Sequence, residues 1–231
     1  MYRGFTLIEL LVSLFIGMAL ILGLYRINSM FRDAASKIRH SRYCIQSIRN
    51  CLVHINMDLL QRAYLLPQDL ALQVNGNSLF IAGLPVSDRY PGLNVNIRSG
   101  MVPPYFAVVE DVSNAWIRLD TIDIDGDAKP DFWAETGIIT DGGPLKISHN
   151  YSRGNIIIPV GFSASTCRAG DRAVPAVVYE LRPKGLYRNG QLLAESITGF
   201  DLLLNSSVLK LHLRASHGHE QKEVVYGYRI R

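Results

Sequence analysis

The stretch GFTLIELLVSLFIGMALILGLY, residues 4–25, decides the fold of this 231-residue chain. Between Phe5 and Tyr25 the only formal charge is Glu9. A helix of that length spans roughly 30 Å at about 1.5 Å per residue, which matches the hydrocarbon core of a membrane. The stretch therefore predicts a membrane-spanning helix close to the N-terminus.

The residues on either side of this stretch distinguish it from an ordinary secretory signal. Such a signal has an apolar core of about 7 to 15 residues, followed by a small-x-small cleavage site. Here the apolar run is longer, and LYRI at residues 24–27 offers no such site. The short polar leader MYRG instead ends in a glycine directly before Phe5. Any cleavage is therefore expected before the apolar run and not after it.

Glu9 is the one residue in the apolar stretch that needs a physical explanation. An ionised carboxylate is costly at the depth of a bilayer, and such residues usually pair with another charge. The alternative is an uncleaved anchor in which Glu9 lies close enough to the membrane surface to be tolerated. The cost of an unpaired carboxylate favours a partner charge.

The segment GFTLIELLVSLFIGMAL, residues 4–20, resembles the processing and transmembrane segment of type IV prepilins and type II secretion pseudopilins. The resemblance implies that a membrane-bound prepilin peptidase cuts after Gly4 and that Phe5 becomes the N-methylated first residue. Thr6 and Glu9 then occupy the family's assembly positions, where the glutamate pairs with the N-terminal amine of a neighbouring subunit. Such an ammonium would neutralise Glu9 where neither charge tolerates lipid alone.

The basic character of the chain, with a net charge of +4 and an isoelectric point near 9.0, is concentrated just after the apolar stretch. Between residues 26 and 49 one acid, Asp33, faces six basic side chains: Arg26, Arg32, Lys37, Arg39, Arg42 and Arg49. A solvated helix face or contact with lipid headgroups explains this run as well as nucleic acid does, so nucleic acid is the less favoured partner. The positive-inside rule would place this side in the cytoplasm, whereas the prepilin resemblance implies a periplasmic head.

The three cysteines, Cys44, Cys51 and Cys167, are too few for a disulfide framework and lack the paired spacing of a zinc site. Cys44 and Cys51 would lie roughly 10 Å apart along a helix, beyond the reach of a disulfide. A bridge from one of them to Cys167 in an oxidising compartment and a set of free buried thiols both stay open.

Beyond residue 26 the apolar positions recur in steps of three and four, which is typical of an amphipathic helix. Pro67 marks its expected end, so one helix of roughly 90 Å is predicted over about residues 5–65. The chain is accordingly divided into four parts: a leader at 1–4, a transmembrane and assembly helix at 5–25, an amphipathic helix at 26–66 and a β-rich globular head at 67–231.

Beyond Pro67 the pattern changes to short strands separated by turn residues. Eight strands are predicted, over residues 79–82, 105–110, 115–120, 156–160, 176–181, 197–204, 208–214 and 223–230. Leu209, Leu211 and Leu213 alternate with polar residues, as in a strand with one face in a core and one in water. The sequence therefore predicts an α+β, pilin-like fold, with a long N-terminal α-helix packed on an antiparallel β-sheet head domain.

Two Asn-Gly pairs, at residues 75–76 and 189–190, predict tight β-hairpins. The second pair lies in YELRPKGLYRNGQLLAESITGFDLLL, residues 179–204, which resembles the C-terminal sheet of the PilW and GspJ group of minor pilins. The resemblance covers both ends of the chain and says little about residues 68–175.

The segment DIDGDAKPD, residues 123–131, is the sharpest metal-binding pattern in the sequence. Four candidate ligands are the carboxylates of Asp123, Asp125, Asp127 and Asp131. The fifth is the backbone carbonyl of Lys129. Hard oxygen donors in this number suit Ca²⁺, and the spacing resembles the calcium loops of FG-GAP propeller repeats and not an EF-hand. The alternative is an acidic surface turn, but four carboxylates this close would repel one another without a cation.

Other chemistry has little support in the sequence. His212, His217 and His219 form the only histidine cluster, and a turn between two terminal strands explains the last two better than a metal site. No GxSxG, HExxH, Walker or GxGxxG motif is present in the sequence. It gives no indication of an enzyme or of an organic cofactor.

The favoured function is that of a minor pilin, a structural subunit that primes or joins type IV pilus assembly at the tip after cleavage and N-methylation. Its expected partners are other minor and major pilins or pseudopilins, prepilin peptidase and the inner membrane. A J-like pseudopilin of a type II secretion machine is the nearest alternative, because it would carry the same N-terminal motif. A membrane-anchored, calcium-dependent adhesin and a DNA-uptake protein are the alternatives from other classes.

Overall fold

The computed structural model describes residues 6–60, 68–82, 107–120, 134, 136–148, 156–160, 166–205 and 208–229. Its longest element is helix α1 (Leu7–Leu60), whose 54 residues extend about 80 Å at about 1.5 Å per residue. The predicted single helix is confirmed as far as Leu60. Residues 61–67, where the helix was predicted to end, lie outside the described residues.

Helix α1 has a long N-terminal part that is not buried and a shorter C-terminal part that packs on the head. Up to Tyr43 its described residues are exposed or half-buried. From there on seven residues are buried: Cys44, Ser47, Ile48, Cys51, Ile55, Asp58 and Leu59. Steps of three and four place these seven on one face of the helix, which is the face that packs on the head.

A short helix, α2 (Gln68–Ala71), leads into the strands of the head. In chain order the described strands are β1 (Leu72–Asn75), β2 (Ser78–Ala82), β3 (Ala107–Val112), β4 (Trp116–Leu119), β5 (Gly137–Thr140), β6 (Gly143–Lys146), β7 (Ile157–Pro159), β8 (Arg172–Arg182), β9 (Gly185–Arg188), β10 (Gln191–Ala194), β11 (Ile197–Asn205), β12 (Val208–His217) and β13 (Glu220–Arg229). Each of the eight predicted strands overlaps one of these. Strands β5 and β6 were not predicted.

Strand β8 is the centre of the larger, ten-stranded sheet. It pairs antiparallel with β2, β3, β5 and β9. Seven consecutive residues of β8, 173–179, are buried, so both faces of this strand are covered. The head is therefore held together by a strand with no solvent side along most of its length.

The smaller sheet has the order β11-β12-β13 and packs on α1. Leu209, Leu211 and Leu213 of β12 are fully buried, which confirms the predicted alternation. They share one buried cluster with Ile55 and Leu59 of α1. The structure thus confirms the predicted α+β fold, a long N-terminal helix packed on an antiparallel β-sheet head.

The two predicted hairpins are present, and their turns differ in detail. In the first, the strand register leaves Gly76 (φ 56°) and Asn77 as the turn, one residue later than the predicted Asn-Gly pair. In the second, both Asn189 (φ 49°) and Gly190 (φ 77°) adopt left-handed backbone angles, as a two-residue type I′ turn requires.

Candidate assembly site

Thr6 and Glu9 form a reciprocal cap at the start of α1. The backbone N–H and the hydroxyl of Thr6 both donate to Glu9 Oε2, each at 3.0 Å. In return the Glu9 backbone N–H donates to Thr6 Oγ1 at 3.4 Å. This arrangement is a capping box, in which two backbone donors of the first turn are satisfied by the side chains of N-cap and N3 residues. Glu9 therefore has polar partners within its own chain.

The residues that follow the cap present an uncovered apolar surface. Leu7 is 77% exposed, Phe15 74% and Tyr25 75%. An 18-residue window of α1 has a mean hydropathy of 2.5, and 0% of it is buried inside the structure. Exposed apolar patches of this extent mark contacts with a membrane or with other proteins. By length and composition this part of α1 is a candidate membrane span, as predicted.

The other end of α1 is fixed to the head by a buried polar cluster of Asp58, Tyr179 and Arg188. The Arg188 Nε–H donates to Asp58 Oδ2 and its Nη2–H donates to Asp58 Oδ1, both at 2.7 Å. The Tyr179 hydroxyl donates to Asp58 Oδ2 as well. Burial, with the Asp58 carboxylate beside it, raises the pKa of the Tyr179 hydroxyl. The hydroxyl therefore stays protonated and keeps its role as a donor.

Residues 1–25 match the family described as the prokaryotic N-terminal methylation motif. The chain begins with a pilin-like prepilin signal. A signal of this kind implies processing by prepilin peptidase and assembly with other pilins in general. No curated protein and no solved structure matches the chain.

Of the four residues predicted for the prepilin signal, the structure brings Thr6 and Glu9 together through the capping box. Gly4 and Phe5, the predicted cleavage and methylation residues, lie outside the described residues. Sequence reasoning missed the Asp58 cluster. One signal for it was available, because Asp58 stands in step with the apolar positions Ile55 and Leu59.

The three cysteines are free and buried. Cys44 and Cys51 lie in the cluster between α1 and the smaller sheet, whereas Cys167 lies in a second cluster of the head. Burial raises the pKa of the Cys51 thiol to about 12, so this thiol is protonated at neutral pH and is a weak nucleophile. The bridge to Cys167 that the sequence left open does not form in this structure.

The histidines divide between two places. His217 stacks on Tyr43 with 4.8 Å between ring centroids, and lies 4.9 Å from the ring of His40. His212 instead lies between two carboxylates of the smaller sheet. Within the residues that the structure describes, no group of three or more His, Cys, Asp or Glu side chains could hold a metal ion.

The predicted calcium ligands Asp123, Asp125, Asp127, Lys129 and Asp131 fall in residues 121–133, which lie outside the described part of the chain. The segment follows β4 and precedes the buried Ala134 of the second cluster. The calcium site stays a prediction.

Proposed function

We propose that the protein is a minor pilin, a structural and non-catalytic subunit that enters the inner membrane as a precursor and joins the tip or initiation complex of a type IV pilus. The observation that carries this proposal is a prepilin signal on a helix of about 80 Å whose apolar N-terminal part has no cover among the described residues. Such a helix requires a bilayer before assembly and neighbouring helices after it.

In this proposal the geometry at the first turn gives Glu9 two successive environments. In the precursor its carboxylate accepts both Thr6 donors through Oε2. Cleavage after Gly4 then creates an amine at Phe5 of each subunit. Glu9 Oε1 of one subunit accepts from the Phe5 ammonium of its neighbour, so the two charges enter the apolar bundle as a pair.

The head supports a position at the end of a fibre. It contains two sheets, one of them ten-stranded, and it covers only the C-terminal part of α1. A head of this bulk would crowd its copies in a continuous filament, whereas a tip complex needs few copies.

The second candidate is a J-like pseudopilin of a type II secretion machine, since the same motif and helix serve that assembly. The two functions differ in which fibre contains the protein.

Sheared fibres and membranes from the same cells test the proposal. We expect the chain in the fibre fraction, running smaller than the precursor. Mass spectrometry should find methylated Phe5 as its first residue, because cleavage after Gly4 precedes methylation. A membrane-anchored adhesin would instead retain Met1 and stay in the membrane fraction, and either result would contradict the proposal.

We further propose that residues 123–131 bind one Ca²⁺ through Asp123, Asp125, Asp127 and Asp131, with the Lys129 carbonyl as fifth ligand. Calcium added to the detergent-solubilised full chain should raise its melting temperature, because a ligand at 100 times its Kd stabilises the folded state by about 2.7 kcal/mol. Asp125→Ala should abolish the rise. Asp111→Ala, which removes an exposed carboxylate of β3, should leave it unchanged. An unchanged melting temperature of the parent chain in calcium would refute the site.

A further inference from the structure

Four arginines lie along one side of α1. Arg32, Arg39, Arg42 and Arg49 are separated by seven, three and seven residues, and all four side chains are exposed. At 3.6 residues per turn these spacings keep them on a single stripe of the helix, as in a heptad seam. We call this stripe the arginine seam.

The arginine seam faces away from the head, except at Arg49, which borders strand β13. At about 100° per residue it lies roughly opposite the buried face that contains Cys44, Cys51 and Ile55. Asp33, the one acid of α1 between residues 26 and 57, falls on the side of the buried face. Glu223 and Lys222 of β13, which carry opposite charges, line the groove beside Arg49. None of the four arginines forms an ion pair with another residue that the structure describes. The seam therefore presents uncompensated positive charge to whatever lies against the outer side of α1.

Two open hollows lie beside the arginine seam. A shallow hollow over the small Ala35 lies between Arg32 and Arg39. Farther along, Arg49 also lines an apolar groove between α1 and the edge strand β13, together with Leu52 and Val224. A helix lying along α1 could thus place carboxylates on the arginines and apolar side chains in the groove.

Lipid and a second copy both fit this surface poorly. The seam reaches about 36 Å beyond Tyr25, whereas the headgroup layer of a bilayer is only about 5–8 Å thick on each side. A second copy would set four arginines against a stem helix with a single acid between residues 26 and 57, and like charges at close range repel. Of the three candidate occupants, lipid, a second copy and an acidic helix of a different chain, only the last matches the arginine seam in both length and charge.

We propose that the arginine seam is a docking surface for an acidic, amphipathic helix of another fibre subunit, with carboxylates spaced to meet the four arginines and apolar residues that enter the groove beside Arg49. This inference rests on the proposed function in one respect, namely that neighbouring helices lie along α1. It adds the chemistry of the neighbour, and it excludes a fibre built from this chain alone.

The test uses the full-length precursor in detergent micelles and a synthetic helical peptide that carries glutamates at intervals of seven, three and seven beside a leucine stripe. The double variant Arg39→Glu/Arg42→Glu should weaken peptide binding at least about tenfold, because each attractive pair becomes a repulsive one. The control Arg26→Glu/Lys37→Glu changes the net charge equally on the opposite side of the same helix, and should change the Kd by less than about twofold. A peptide with lysines in place of only the two central glutamates, which face positions 39 and 42, should restore binding to the seam variant and should not bind the parent more tightly.

Equal losses in the two double variants, or failure of the lysine peptide to restore binding, would overturn the proposal. It would also be overturned if the parent chain bound only phosphatidylglycerol vesicles or duplex DNA and not the glutamate peptide. Because the precursor is used, binding does not depend on cleavage after Gly4. An unprocessed N-terminus in cells would refute the proposed function. Equal peptide binding by the parent chain and the seam variant would refute only this inference.

Discussion

Replacing Glu9 by glutamine is expected to leave cleavage after Gly4 intact and to lower the amount of protein in sheared fibres at least about tenfold. Glutamine keeps the size of the side chain and its hydrogen bonds to Thr6, but it removes the negative charge. The Phe5 ammonium of the neighbouring subunit would then enter the apolar bundle unpaired, which is strongly unfavourable. Immunoblots of the fibre and membrane fractions measure the change, and the size of the membrane-bound species reports cleavage.

Two further variants separate the charge of Glu9 from the cap that it forms. Thr6→Ala removes the capping hydroxyl and keeps the carboxylate, and loss of an N-cap costs about 1 kcal/mol, so a smaller fall is expected. Ser13→Ala removes a hydroxyl that donates to the Leu10 carbonyl, without any change of charge, and should behave as the parent. Normal fibre levels of the glutamine variant would show that Glu9 is not an assembly residue.

Asp58→Ala is expected to destabilise the folded head by about 3 kcal/mol, the lower end of the cost for a buried pair, because it leaves the half-buried Arg188 guanidinium without its counter-ion. The Tyr179 hydroxyl loses its acceptor at the same time. The Asp58 side chain is 7% exposed and that of Arg188 is 24% exposed, so water replaces little of what is lost. Denaturant unfolding of the full chain in detergent measures the free energy of unfolding.

A surface ion pair provides the matched control for Asp58. Asp69 contacts Arg172 at 3.2 Å but its side chain is 61% exposed, and Arg172 keeps a second carboxylate partner, Asp141. Asp69→Ala should therefore cost less than about 1 kcal/mol. Similar costs for Asp58→Ala and Asp69→Ala would contradict the role of the buried cluster in fixing α1 to the head.

The sequence predicted the elements whose pattern is long or strongly periodic. Helix α1 repeats its steps of three and four over many turns, and β12 alternates buried leucines with polar residues. The strand pair β5 and β6 offered no such signal. Strand β5 is four residues long and buried throughout, so it shows no alternation, and β6 contains Pro144, which counts against a strand.

Of the contacts at the two ends of α1, the one between residues close in sequence could be predicted, and those between distant residues could not. Thr6 and Glu9 are three residues apart, so their relation can be read directly from the sequence. Asp58 meets Tyr179 and Arg188 across separations of 121 and 130 residues. A single sequence carries no record of which distant side chains meet, so only the unusual position of Asp58 on an apolar helix face could indicate that a partner exists.

The point at which the head contacts α1 limits how precisely the head can position the N-terminal end of the helix. The turn between β12 and β13 closes on the helix where His217 stacks on Tyr43 beside His40. From His40 back to Thr6 no described residue of the head packs on the helix, over about 50 Å, and a tilt of about 5° at His40 would move the Thr6 end by about 4 Å. That sideways travel exceeds the reach of a hydrogen bond. In the proposed assembly, the neighbouring helices would therefore have to align Glu9 with the amine, because the position of the head sets the place of Glu9 only to within several ångströms.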